Sequence, residues 1–250
     1  MRRRGGRVRF SCFGFPVRLH GSTALLPPLF LYLWAVEDMT VREVAWFALV
    51  AAGLMGSILV HELGHALVAR RYGVQTREIV LLPVGGLARL SHLPQRSLEE
   101  CWIALAGPAV NFLLALLLFP WLLFVMVPGL RQMAPPTPES LPGNFFFFLP
   151  LLFAMNVGLA IFNLLPAFPM DGGRVLRAAL AVRLGWLRAT RTAAYLGQAL
   201  ALVMAAVGLS GYNHMYLGIA AFIFITARQE YRWAQRSVSD VGAVGPEEEG

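Results

Sequence analysis

The chain contains no lysine, so all 21 of its basic residues are arginine; against 14 acidic residues this gives a net charge of +7 over 250 residues. Charged side chains make up only 14% of the sequence and hydrophobic ones 57%. Soluble domains carry about 25% charged residues, so this balance excludes an ordinary soluble globular protein and points to a polytopic membrane protein. Cysteine is scarce as well. Cys12 and Cys101 both fall on the side argued below to be cytosolic, which excludes a disulfide framework and leaves two free thiols. There is no internal repeat, and no stretch long enough for a separate soluble domain. The arginines lie at the ends of apolar runs, where membrane topology places them, which argues against a nucleic-acid-binding surface.

Six apolar runs are present. The first, from about Ser22 to Val36, follows the cluster Arg2-Arg3-Arg4, Arg7, Arg9 and Arg18. It contains Pro27-Pro28 and no small-residue cleavage site follows it, so it reads as a retained span and not a signal peptide. The others run from about Val44 to Val68, Cys101 to Val127, Phe145 to Leu165, Ala193 to Leu209 and Met215 to Ala227, the last being short for a crossing. With a cytosolic N-terminus, the inner segments hold all the arginines except Arg42 and Arg131. That asymmetry predicts a multi-pass protein with both termini in the cytosol. Residues 237–250 are small and acidic and are expected to form a disordered cytosolic tail after a membrane domain spanning 1–236. Between the second and third runs, Thr76–Leu82 and Leu87–Leu90 flank Pro83-Val84-Gly85-Gly86. This reads either as a membrane-associated β-hairpin or as a covering loop. The expected fold class is therefore all-α, with about six transmembrane helices and a possible hairpin.

The second run carries His61-Glu62-Leu63-Gly64-His65. On a helix, residues four apart share a face, so His61 and His65 can hold one metal ion while Glu62 reaches a water bound to it. Gly53, Ser57, His61 and His65 follow one another at steps of four, a small-residue seam that predicts a face turned toward neighbouring helices. An ionisable glutamate about two turns inside Arg70 is costly in lipid unless it has a partner or water. A catalytic zinc takes three protein ligands and leaves a position for water. His92 and His214 are third-ligand candidates by type, but each sits in a loop. Asp171 follows Pro166 and Pro169 and precedes Gly172-Gly173, a pattern that exposes a carboxylate at the end of the fourth run. Spacing alone leaves it equally readable as a capping residue for the helix that follows.

Three segments, His61 to His65, Gly107-Pro108-Ala109-Val110-Asn111 and Asn163-Leu164-Leu165-Pro166-Ala167-Phe168-Pro169-Met170-Asp171-Gly172-Gly173, resemble in order the signature segments of the site-2 protease family of intramembrane zinc metalloproteases, peptidase family M50. The resemblance covers roughly Gly14 to Arg177. It implies that His61, His65 and Asp171 ligate one Zn2+, that Glu62 is the catalytic carboxylate activating a zinc-bound water, and that a hairpin lies near Ile79 to Leu90. It further implies an endopeptidase cutting within or next to a transmembrane segment of another membrane protein, at a site in the bilayer toward the cytosol. The partners implied are a transmembrane protein substrate, the lipid bilayer and a regulatory membrane partner in trans. Unlike many relatives, the chain has no room for a PDZ domain between the third and fourth runs, nor for CBS domains after the sixth.

Asn163 is expected either to steady a tetrahedral oxyanion or to satisfy backbone groups freed by Pro166. Asn111 is expected to help a kink at Gly107-Pro108 pack beside the site, without a catalytic role. A helical substrate hides its peptide bonds and must unwind before cleavage, so an edge of the Ile79–Leu82 strand is expected to receive it by β-addition. Two other functions compete: an ion or metal transporter built on the same His/Glu/Asp cluster, and a non-catalytic zinc-binding scaffold.

Overall fold

A computed structural model describes residues 9–36, 39–82, 85–91, 94, 96–132, 147–211 and 215–243. The chain forms two compact units, one of residues 1–93 and 106–160, the other of 94–105 and 161–250.

The first unit contains a four-stranded sheet of β1 (Arg9–Cys12), β2 (Phe15–Leu19), β3 (Thr76–Leu82) and β4 (Gly85–Leu90), in that spatial order. β1 and β2 form an antiparallel hairpin across Phe13-Gly14. Both turn residues have positive φ, 50° and 82°, as a two-residue turn matched to strand twist requires. β2 then pairs parallel with β3, and β3 antiparallel with β4. The hairpin expected from the sequence is therefore present as β3–β4, inside a larger sheet. One expectation is overturned. β3 is paired on both sides, so the Ile79–Leu82 strand has no open edge; the edge strands are β1 and β4. The cause is β2, whose short alternating run Phe15-Pro16-Val17-Arg18-Leu19 gave no signal of its parallel partner 60 residues away.

Helix α2 (Val41–Arg71) is the spine of this unit. Thr40 and Glu43 form a reciprocal cap at its start: Thr40 N–H donates to Glu43 Oε2 at 2.7 Å, and Glu43 N–H to Thr40 Oγ1 at 3.2 Å. Arg70 and Arg71 in the last turn complement the helix dipole. The sheet packs on the second half of α2, where Phe15, Val17, Ile79 and Leu81 meet Ile58, Leu63 and Ala66 in one buried cluster. Helices α1 (Leu26–Val36), α3 (Ser97–Gln132, from Ala106 in this unit) and α4 (Phe148–Asn163, to Ala160) complete it. α3 continues through Gly107-Pro108 without interruption.

The second unit holds the first turns of α3, the loop after Asn163, and helices α5 (Asp171–Leu184), α6 (Trp186–Leu209) and α7 (Met215–Ala243). Its core is a knot around Phe168, Ala193, Ala194 and Ala227. Gly197 allows it: a Cβ there would lie 3.0 Å from the Phe168 carbonyl carbon and 3.1 Å from Ala227 Cβ. Arg177 is 1% exposed, stacked over the rings of Phe168 and Trp186 and paired with Glu100 and Glu230. A buried guanidinium is tolerated because its donors are satisfied by carboxylates and its faces by aromatic rings.

Among the described residues, three helices are long and apolar enough to cross a membrane: α2, α3 (over Ser97–Leu123) and α6. The first and fourth expected spans form shorter apolar helices, α1 of 11 residues and α4 of 16. The sixth apolar run is the start of α7, which continues past Arg236 to Ala243. The stretch from Ser237, expected to be disordered, is thus helical to Ala243; between Ile219 and Val241 neither glycine nor proline stops the helix. The remainder of the expected tail lies outside the described residues, as do His92 and His214.

Candidate metal centre

His61, Glu62 and His65 lie in the last three turns of α2, and all are buried. Two glycines make the space around them. Gly64 lets α3 approach, since a Cβ there would sit 2.8 Å from the Ala106 carbonyl oxygen and 2.9 Å from Val110 Cγ2. Gly107 lies over the imidazoles, where a Cβ would fall 2.7 Å from His61 Cε1 and 2.6 Å from His65 Cε1. The glycine of Gly107-Pro108 therefore makes room for two rings.

The proton on His61 can be assigned from its neighbours. Asn156 Nδ2 lies 2.9 Å from the Leu152 carbonyl oxygen, which can only accept, so this nitrogen donates. It also donates to Ser57 Oγ at 3.0 Å, and Ser57 in turn donates to the Gly53 carbonyl at 3.0 Å. Asn156 Oδ1 then faces Asn111 and accepts from its Nδ2 at 2.8 Å. Asn111 Oδ1 is thereby turned to His61 and accepts from Nδ1–H at 2.6 Å. One carbonyl at one end of this line thus sets, at the other, which ring nitrogen of His61 carries the proton, and Nε2 is the nitrogen turned to His65. Asn111, expected to pack beside the site, also holds the His61 ring through this hydrogen bond.

His61 Nε2 and His65 Nε2 are 3.1 Å apart, with the rings nearly perpendicular at 84°. Neighbouring ligands of a tetrahedral zinc stand about 3.3 Å apart at the usual Zn–N length. The histidine pair fits that demand. Asp171, a buried carboxylate in the second unit, has the chemistry of a third donor. Two imidazole nitrogens and a carboxylate form a donor set of the catalytic-zinc kind.

Asp171 is the first residue of α5, and Met170 is the N-cap without a side-chain bond, so the capping reading of Asp171 does not hold. Its Oδ1 is 3.7 Å from Arg174 Nη1, one turn on. Gly172 and Gly173 have ordinary backbone angles, and their role is close approach: a Cβ on Gly173 would lie 2.6 Å from Ala167 C and Phe168 N, and one on Gly172 2.5 Å from Leu164 C. They press the start of α5 onto the loop after α4. Asn163 is the last residue of α4.

Glu62 is gripped from the sheet. Its Oε2 accepts from Ala88 N–H of β4 at 2.8 Å, and Gly86 lies so close that a Cβ would be 2.7 Å from Oε1. Sequence reasoning missed Asn156, Gly86 and Ala88. Asn156 had a signal: an amide in the middle of the apolar run Phe148 to Phe162 is costly without a partner. Ala88 had none, because it acts through its backbone.

The family model described as peptidase family M50 matches residues 49–139 and 129–206. A zinc metalloprotease of Methanocaldococcus jannaschii is 34% identical over 224 residues, covering 89% of this chain and 60% of that relative. The Mycobacterium tuberculosis protein Rip3, named as a candidate zinc metalloprotease, is 35% identical over 87% of this chain and 56% of its own length. The chain thus spans a little over half the length of these relatives. Among solved structures, a site-2 protease from Methanocaldococcus jannaschii superposes with a TM-score of 0.63 at 34% identity, covering 90% of this chain and 95% of that one.

Proposed function

This chain belongs to peptidase family M50, and from that premise we propose that it is an intramembrane zinc metalloendopeptidase of the site-2 protease type. The observation that carries the proposal is the pair of Nε2 atoms 3.1 Å apart, with His61 Nδ1 held by Asn111. His61, His65 and Asp171 would hold Zn2+. The ion, when bound, supplies a Lewis acid that acidifies water and polarises a carbonyl. Glu62, one step round α2 from His61, takes a proton from the attacking water and returns it to the leaving nitrogen. Asn163 donates its amide to the carbonyl oxygen as negative charge develops there.

The substrate is a membrane protein with a transmembrane helix that unwinds locally. An extended segment of it adds by strand pairing to an edge of the sheet, and not to β3, which is paired on both sides. The arginine distribution supports a multi-pass chain with cytosolic termini, and Arg70 and Arg71 put the site within about two to three helical turns, at 5.4 Å each, of the cytosolic boundary. A regulatory membrane partner acting in trans is part of the same proposal.

The proposal is tested with the purified protein in proteoliposomes containing a single-pass membrane protein. Cleavage mapped to the spanning or adjacent segment, abolished by chelator and restored by zinc, is the expected result. Zinc-restored metal flux across the vesicle wall without any cleavage would instead establish the transporter.

A further inference from the structure

We infer that the backbone of β4 is the positioning device for the catalytic carboxylate, with Ala88 N–H and the bare Cα of Gly86 fixing where Glu62 sits. The inference rests on the reading of Glu62 as general base. A glutamate on a helix has three rotatable side-chain bonds, and the position of its carboxylate is not set by the helix alone. Here it is set from outside. Oε2 accepts a charge-assisted bond from Ala88 N–H at 2.8 Å, while Oε1 and Cγ lie against Gly86 at 2.7 and 2.5 Å from where a Cβ would be. No other residue type at position 86 leaves room for the carboxylate in this place.

The topology explains why this strand can do it. β4 pairs with β3 on one side only, so alternate N–H groups point away from the ladder. Ala88 N–H is one of these, and it goes to Glu62. Neighbouring Gly86 is two residues away on the same strand, so its outward side is presented to the same group. The pairing of β4 with β3, and the buried cluster joining β3 to α2, hold that edge in register with the helix that carries Glu62. A proton acceptor held in this way needs no reorientation at the moment of transfer, which is where misplacement by about 1 Å can cost 10²-fold in rate.

The edge position also provides a clean variant. Proline is accepted on an edge strand where the N–H points away from the ladder, so Ala88→Pro removes this donor without removing a strand hydrogen bond. The residue before it, Leu87, is already extended, as a pre-proline residue must be. Gly86→Ala tests the same claim by crowding the carboxylate instead.

The experiment measures kcat, KM and zinc content for Ala88→Pro, Gly86→Ala and Glu62→Gln on a cleavable membrane substrate, with thermal unfolding as the check on folding. Expected for both strand variants is a fall in kcat of about 10- to 100-fold with KM and bound zinc held within twofold. A fall confined to KM would overturn the inference, assigning Ala88 N–H to the docked peptide; unchanged kcat in a folded Gly86→Ala protein would overturn it as well. If Ala88→Pro fails to fold, Gly86→Ala decides alone. Full activity of Glu62→Gln would defeat the underlying reading of the base, and that outcome is distinct from any outcome of the strand variants.

Discussion

His61 Nδ1 lies 2.6 Å from Asn111 Oδ1, and this bond sets which ring nitrogen carries the proton. It is the last link in a line that begins at the Leu152 carbonyl and passes through Asn156.

Asn111→Leu should therefore lower zinc affinity by about 10- to 100-fold, the usual cost of losing the partner that orients a metal-binding histidine. Asn111→Asp keeps an acceptor for His61 and should retain zinc better than the leucine variant. Zinc content after dialysis against graded chelator distinguishes them. Equal loss in both would show that the acceptor is not what matters.

Gly64 is a packing position for α3. Gly64→Ala puts a methyl group against the Ala106 carbonyl, a backbone neighbour that cannot rotate away. A loss of about 1–3 kcal/mol is expected, the range for overpacking, read by thermal unfolding in detergent.

The buried pair of Arg177 and Glu100 calls for an asymmetric outcome. Arg177→Met strands the Glu100 carboxylate, which is 5% exposed, and should cost about 3–5 kcal/mol. The double variant Arg177→Met with Glu100→Gln removes both charges and should recover a substantial part of that loss. A double-mutant cycle on thermal stability measures the coupling, and additive losses would rule the pairing out as the cause.

Arginine placement makes a prediction about orientation. A reporter fused near Arg183 should read as cytosolic and one near Pro135 as external, and the opposite pattern would refute the topology.

Much of the centre was legible in the sequence because its chemistry is local. His61, Glu62 and His65 share a helix, and four-residue spacing alone puts the two rings on one face. Asp171 was readable as a ligand only through the resemblance, since its spacing also fits a helix cap. The hydrogen bond from His61 to Asn111 was not legible, because the two residues are 50 positions apart on different helices. The sheet was half legible: β3 and β4 are adjacent in sequence and flank a turn, but β2 finds β3 across two helices, and a long-range parallel pairing leaves no local pattern. The same blind spot hid Ala88, which contributes a backbone N–H that any residue except proline would carry. Hydropathy marks the apolar start of α7 and not its helical end at Ala243.

The central claim is that Glu62 transfers the proton in a zinc-dependent cleavage of membrane-embedded peptide. Its most direct test is the Glu62→Gln protein, assayed for bound zinc and for cleavage of a single-pass substrate in proteoliposomes. The account predicts about one zinc per chain, as set by His61, His65 and Asp171, with cleavage reduced by at least about 10²-fold, the lower part of the range for a lost general base. Undiminished cleavage by the zinc-loaded variant would contradict it.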